Sequence, residues 1–278
     1  MKKILIGISA LLILVLTTGC TEVTEPRSVS SIKNEGILVV GVRTDTVPFG
    51  YKDPEDDTIK GFEIDLAHKL AEYLSTPNQP VTAKVTEVNA KTRVKLLQDG
   101  AVDLLIATMT DTKERRKEIR FSTPYFRSNQ SILVLGSSNI KTPKDTSGKL
   151  VATLKGAVSG INFAKKYPLA DLLYFENYPD TFTALRAKRV HAITTDRGVL
   201  LGMKAQGQNG EFRLIEGDFT EECYGIGIAK QNKELAKTVE KFLQTIWQNG
   251  TYQRLYKKWF KVEAAKNVMP FPLKKCGG

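Results

Sequence analysis

Short apolar runs alternating with helix-periodic segments constrain this chain most. Ile37-Leu38-Val39-Val40-Gly41-Val42, Ala101–Ala107, Leu150–Leu154 and Val190–Thr195 each read as a buried strand. Between the first two, Leu66, Leu70, Ala71 and Leu74 recur at helical spacing after Gly61, and Pro77 and Pro80 stop that helix. Val94 and Leu97 mark a shorter helix that Gly100 ends. Asp180 is the expected N-cap of a helix running to Ala187, and Asp196 caps the next one. Leu235, Val239, Phe242, Leu243, Ile246 and Trp247 make one apolar face of a long helix closed by Gly250. Strands alternating with helices predict an α/β fold on parallel or mixed sheets. The sequence shows no internal repeat and no low-complexity block.

The N-terminus reads as an address. Met1-Lys2-Lys3 is a positive start, Ile4–Leu16 an apolar core too short to span a bilayer, and Leu16-Thr17-Thr18-Gly19-Cys20 resembles a bacterial lipobox, with Thr17 where Leu is usual. The expectation is a signal peptide over 1–19 and acylation of Cys20, anchoring the protein on the extracytoplasmic face of a membrane. No later segment is apolar for long enough to cross one. Thr21–Ser31 is polar and reads as a flexible tether, so 20–31 is expected to be lipidated N-terminus and linker. The formal net charge is +11, and loss of Lys2 and Lys3 leaves it strongly basic. Basic runs interleaved with aromatics are missing, so nucleic acid is set aside as a partner. With Cys20 acylated, Cys223 and Cys276 remain. An even remainder in an oxidising compartment reads as one disulfide, two free thiols being the alternative. Two histidines and no CxxC leave no zinc site, and no metal or cofactor is expected.

Several ordered motifs carry a family resemblance. Gly61-Phe62-Glu63-Ile64-Asp65-Leu66 followed by Leu70-Ala71 resembles the signature of the family 3 extracellular solute-binding proteins, the amino-acid receptors of ABC importers. Asp103–Arg115 is similar to the family's ligand loop, and Phe121-Ser122-Thr123-Pro124-Tyr125 to its F-S-x-P-Y segment. Arg189–Asp196, Tyr224–Ile228 and Gly250–Phe260 complete the set, with His191 where the family usually has Asp. The resemblance implies a two-lobed, type II periplasmic-binding-protein-like clamp, each lobe a mixed or parallel sheet flanked by helices. Lobe 1 is expected over 32–124 and 225–261, lobe 2 over 130–219, hinge strands over 125–129 and 220–224, and a tail over 262–278. A bridge from Cys223 to Cys276 would fasten that tail across the hinge.

A zwitterionic ligand needs a cation for its carboxylate and an anion for its ammonium once water leaves. Asp111-Thr112-Lys113-Glu114 fits a capping box, so a helix is expected just after the strand 101–107, with Thr108, Thr110 and the first helix amides at that strand's carboxyl end. The resemblance implies that Arg115 takes the α-carboxylate with Thr110 assisting, that Asp196 takes the ammonium, and that the loop Lys155–Ser159 contributes through Ser159 or a backbone N–H. It also implies that Arg43 meets a side-chain carboxylate, with Arg93 a second such arginine, which favours glutamate or aspartate over glutamine. The alternative for Arg43 is a salt bridge to Asp45 on the same strand face. Met109, Tyr178 and His191 are read as packing. The expected function is therefore amino-acid binding by a monomer that delivers to an ABC importer, not catalysis. A dehydratase-like enzyme on the same scaffold and an amino-acid-sensing adaptor are the alternatives.

Overall fold

A computed structural model of the chain describes residues 25–215 and 220–261. The segments carrying Cys20, the leader, the tail and Cys276 lie outside the described residues. The chain opens with α1 (Val29–Glu35) and β1 (Ile37–Val42). A small antiparallel unit follows: β2 (Asp45–Thr46), β3 (Gly50–Lys52) and β4 (Ile59–Lys60). Then come α2 (Phe62–Leu74), β5 (Thr82–Glu87), α3 (Arg93–Gln98), β6 (Leu104–Ile106), α4 (Lys113–Glu118) and β7 (Ile119–Phe121). The chain crosses through β8 (Phe126–Ser128) into β9 (Gln130–Leu135), a 3-10 turn at Pro143–Thr146, β10 (Leu150–Leu154), α5 (Val158–Lys166) and β11 (Asp171–Phe175). Next are α6 (Tyr178–Arg186), β12 (Ala192–Asp196), α7 (Arg197–Ala205) and β13 (Phe212–Ile215). It returns through β14 (Glu222–Tyr224) to β15 (Gly227–Ala229), α8 (Lys233–Gln248) and α9 (Thr251–Phe260).

Two five-stranded sheets result. The first has the order β5-β1-β6-β15-β7, with β5, β1 and β6 parallel and β15 antiparallel to both neighbours. The second has the order β11-β10-β12-β9-β13, with β9 antiparallel to β12 and β13. Between them β8 and β14 pair antiparallel, Phe126 opposite Tyr224 and Ser128 opposite Glu222. The chain thus passes between the sheets through β8 and again through β14, and β15 completes the first sheet. Cys223 on β14 is disulfide-bonded.

The core follows the predicted periodicities. Leu38, Val40 and Val42 are buried on one face of β1, and Leu66, Leu70 and Leu74 line α2. Leu235, Val239, Phe242, Leu243 and Ile246 are the buried face of α8. Burying one such side chain fully contributes about 1.5–3 kcal/mol. Aromatic rings fill the crossing: Phe126 lies 4.9 Å from Phe49, 5.6 Å from Tyr224 and 5.2 Å from Phe260 between ring centroids. The Tyr252 hydroxyl donates to the Tyr125 carbonyl at 2.9 Å, tying α9 to the start of the crossing. Gly61 is required where it stands: its φ is +146°, and a Cβ there would lie 2.1 Å from the Phe49 carbonyl oxygen.

Several local expectations shift. The tether ends earlier than Ser31, because Ser28 accepts from the Ser31 amide and caps α1 from Val29. The N-cap of α6 is Asn177, whose side chain accepts from the Asp180 amide; Asp180 sits one turn in and returns the contact through its carboxylate. The strand expected over 101–107 narrows to β6. Before it, the Asp103 carboxylate takes the Val39 amide and an Arg27 contact. The strand expected over 190–195 becomes 192–196, since a tight turn through Lys188, at φ +57°, precedes it. His191 is exposed and packs no core.

Candidate ligand-binding site

Four elements of the first sheet's unit point residues at the gap between the sheets. At the end of β6 the backbone turns sharply, with Thr108 at φ +44°. A non-glycine residue held there is strained, and here the chain around it explains the hold. The Thr108 amide donates to Glu63 Oε1 at 2.7 Å, and the Tyr125 hydroxyl donates to the same oxygen. Glu63 is fully buried in the first turn of α2. Burial pushes its carboxyl up to about 7, against the pull of Tyr125, Thr108 and Arg93.

Arg115 stands in the first turn of α4. The cap is Thr112 rather than Asp111: Thr112 accepts from the Arg115 amide at 3.2 Å, and Asp111 instead pairs with Arg116. The Arg115 guanidinium donates to the Thr110 carbonyl at 2.8 Å and, across the gap, to the Gly156 carbonyl at 3.1 Å. Burial lowers its pKa, while Asp196 and Glu222 oppose. Arg93 begins α3 and is buried; its Nη1 donates to the Ala107 carbonyl, and its Nε has no hydrogen-bond partner among the described residues.

The second sheet supplies the opposing wall. Asp196 closes β12 and occupies the N-cap position of α7, yet its carboxylate makes no cap hydrogen bond. It accepts from the Tyr224 hydroxyl instead. Burial, then the neighbouring Glu222 charge, push it up to about 7; Tyr224 and Arg115 pull it back only in part. Glu222 on β14 takes Asn162 Nδ2 at 3.2 Å and is itself raised by burial. The Ser159 hydroxyl is engaged with Thr153 Oγ1 at 3.1 Å. The amides that open α5, at Val158 and Ser159, have no acceptor within their own helix, and both residues line the cavity.

Arg43 lines the cavity and is already paired. Its Nε and Nη2 donate to the two oxygens of Asp45 at 2.8 and 2.6 Å, so the salt bridge read as the alternative is formed. Burial would raise the Asp45 carboxyl, but Arg43 outweighs it and holds it below the ordinary range. Arg43 also lies 5.2 Å from the Tyr178 ring centroid, within cation–π range. Tyr178, read as packing, lines the site and shares a hydrogen bond with Thr195 Oγ1 at 2.7 Å. Met109 is packing: it is buried in the satellite core under β6.

All seven side chains singled out in the sequence line one cavity: Arg43, Arg93, Thr108, Thr110, Arg115, Ser159 and Asp196. Ala90, Ala157, Val158, Tyr178 and Thr195 complete its walls. Glu63, Tyr178, Glu222 and Tyr224 were not found from the sequence. Only Glu63 left a trace there. It stands on the apolar stripe Glu63, Ala67, Leu70, Leu74, where a carboxylate is out of place unless something holds it.

The family model for bacterial extracellular solute-binding proteins, family 3, matches residues 38–262. The chain belongs to that family. Two curated relatives of it are an ABC transporter glutamine-binding protein, GlnH, of Bacillus subtilis and a glutamine-binding protein of Geobacillus stearothermophilus. The first is 37% identical over 96% of this chain and 100% of its own length. The second is 42% identical over 76% of this chain and 80% of its own. Among solved structures, an ancestral arginine-binding protein bound to glutamine superimposes with a TM-score of 0.76 at 34% identity, covering 82% of this chain and 99% of that one. The two-lobed α/β clamp is thus the fold of the family member at hand.

Proposed function

We propose that this protein is the exported receptor of an amino-acid ABC importer. It binds an L-α-amino acid whose side chain ends in a hydrogen-bond acceptor, the glutamine and glutamate class, between its two sheets. One observation carries the reading: Arg115 and Asp196 face one cavity from opposite walls, with the unpartnered Nε of Arg93 beside them. A guanidinium with helix amides suits an α-carboxylate, a buried carboxylate suits an ammonium, and an unpaired donor wants an acceptor. The glutamine-binding relatives support the same class. The lipid on Cys20, a hinge at β8 and β14, and a bridge from the disulfide-bonded Cys223 to Cys276 belong to this proposal. Three or four charge-assisted hydrogen bonds at roughly 1.5–3 kcal/mol each cover the ~8 kcal/mol of a micromolar complex after ordering costs. A thermal-shift screen of the twenty amino acids tests it, since a ligand that binds only the folded state raises the Tm. Glutamine or glutamate should raise it and lysine should not; a screen in which neither does rejects the reading.

A further inference from the structure

We infer that Asp45 sets this site for an uncharged side-chain amide over a carboxylate, so that glutamine is preferred to glutamate. The inference rests on the proposed amino-acid reading and adds the choice within it. Arg43 is the residue a ligand carboxylate would seek, and it is 2% exposed. Its charge is already answered. Asp45 Oδ1 accepts from Arg43 Nε at 2.8 Å and from Thr46 Oγ1 at 2.9 Å. Asp45 Oδ2 accepts from Arg43 Nη2 at 2.6 Å and from the Tyr178 amide at 3.1 Å. That last contact comes from the opposite wall, so the pair is held from both sides.

Arg93 is the other charged side chain at this end of the cavity. Burial, then the Arg115 and Arg43 charges, disfavour the charge on Arg93, and Tyr178 and Glu63 oppose them only in part. With Arg115 and Asp196 given to the ligand backbone, the Arg43–Asp45 pair brings no net charge to the side-chain end. What remains there is donors: the Arg93 Nε and those Arg43 N–H groups that Asp45 does not use. An amide oxygen accepts from such donors at no cost in charge. A carboxylate would bring a second negative charge beside Asp45 in a site with little water, and like charges so placed repel strongly.

The test is calorimetric titration of glutamine and of glutamate into the full-length exported protein, freed of bound ligand by unfolding and refolding. The parent should bind glutamine tighter than glutamate by roughly 100-fold. Asp45→Asn keeps an acceptor for Arg43 and removes the charge; it should improve glutamate binding and narrow the ratio by about tenfold or more. Asp45→Ser removes the same charge with a different shape and should shift the ratio the same way, which covers failure of one variant to fold. A parent that binds both ligands equally, or variants that keep glutamine binding with the ratio unmoved, overturns the inference and leaves the amino-acid reading standing. A parent that binds neither overturns the amino-acid reading and the inference with it.

Discussion

The position of Asp196 in the sequence fits both a helix cap and a ligand group and cannot separate them. It sits where an N-cap belongs, but its carboxylate turns to Tyr224 and the cavity. Its free-state pKa near 7 has a consequence for binding. An ammonium needs the ionised form, so binding below that value must release the proton. Affinity for any amino acid should therefore weaken by up to about tenfold per pH unit below about 7. Calorimetry at pH 6 and 8, in buffers of different ionisation enthalpy, reads both the weakening and the proton release. Arg115→Ala removes the guanidinium from the α-carboxylate end and should reduce affinity for every amino acid by about a hundredfold or more; retained affinity would show that the α5 amides suffice. Arg115 and Asp196 were legible because each follows a strand that ends at the site. Arg43 was legible as a pocket residue but not in its partner, because the sequence cannot say whether a carboxylate two residues on folds back onto it.

Local elements show the same division. The period of α2 and α8 predicted their buried faces, since a helix face is a local property. Their caps were less legible. Asn177 and Asp180 both suit the start of α6, and only the path of the preceding strand chooses between them. Helix α7 carries a demand that has nothing to do with its own stability. Gly202 lies in its interior, where alanine would be favoured by about 1 kcal/mol. Yet a Cβ there would stand 1.8 Å from the Val47 carbonyl oxygen, which belongs to the loop between β2 and β3 across the gap. Gly202→Ala should destabilise the protein by about 1–3 kcal/mol, because backbone must give way, and weaken ligand binding with it. Thermal unfolding and calorimetry on one preparation check the two halves; a variant that binds as the parent does would mean that this contact yields at no cost.

The assembled molecule also sets a pH optimum of its own. Glu63 and Asp196 have ordinary values of 4.5 and 3.8 and are both held near 7 in the fold. Between those limits the folded state binds more protons than the unfolded one, so stability falls as pH rises through that window, by about 3 kcal/mol for Glu63 alone. Asp45 acts oppositely: its lowered pKa contributes stability above 3.8 that is lost as pH falls. On these three groups the ligand-free protein should be more stable at pH 5 than at pH 8, and denaturant melts at the two pH values check it; a higher denaturation midpoint at pH 8 would mean that Glu63 and Asp196 are ionised at little cost. From residue order came the alternation of strands and helices, written in its periodicity, and from the family motifs the seven side chains that line one cavity. The pairing of Arg43 with Asp45, the burial of Glu63 beneath Thr108, and the fit of Gly202 against Val47 came from folding. Those contacts depend on distances that folding sets, within the first sheet's unit for the first two and between the two sheets for the third, and Coulomb and contact forces act through distance, not through residue number.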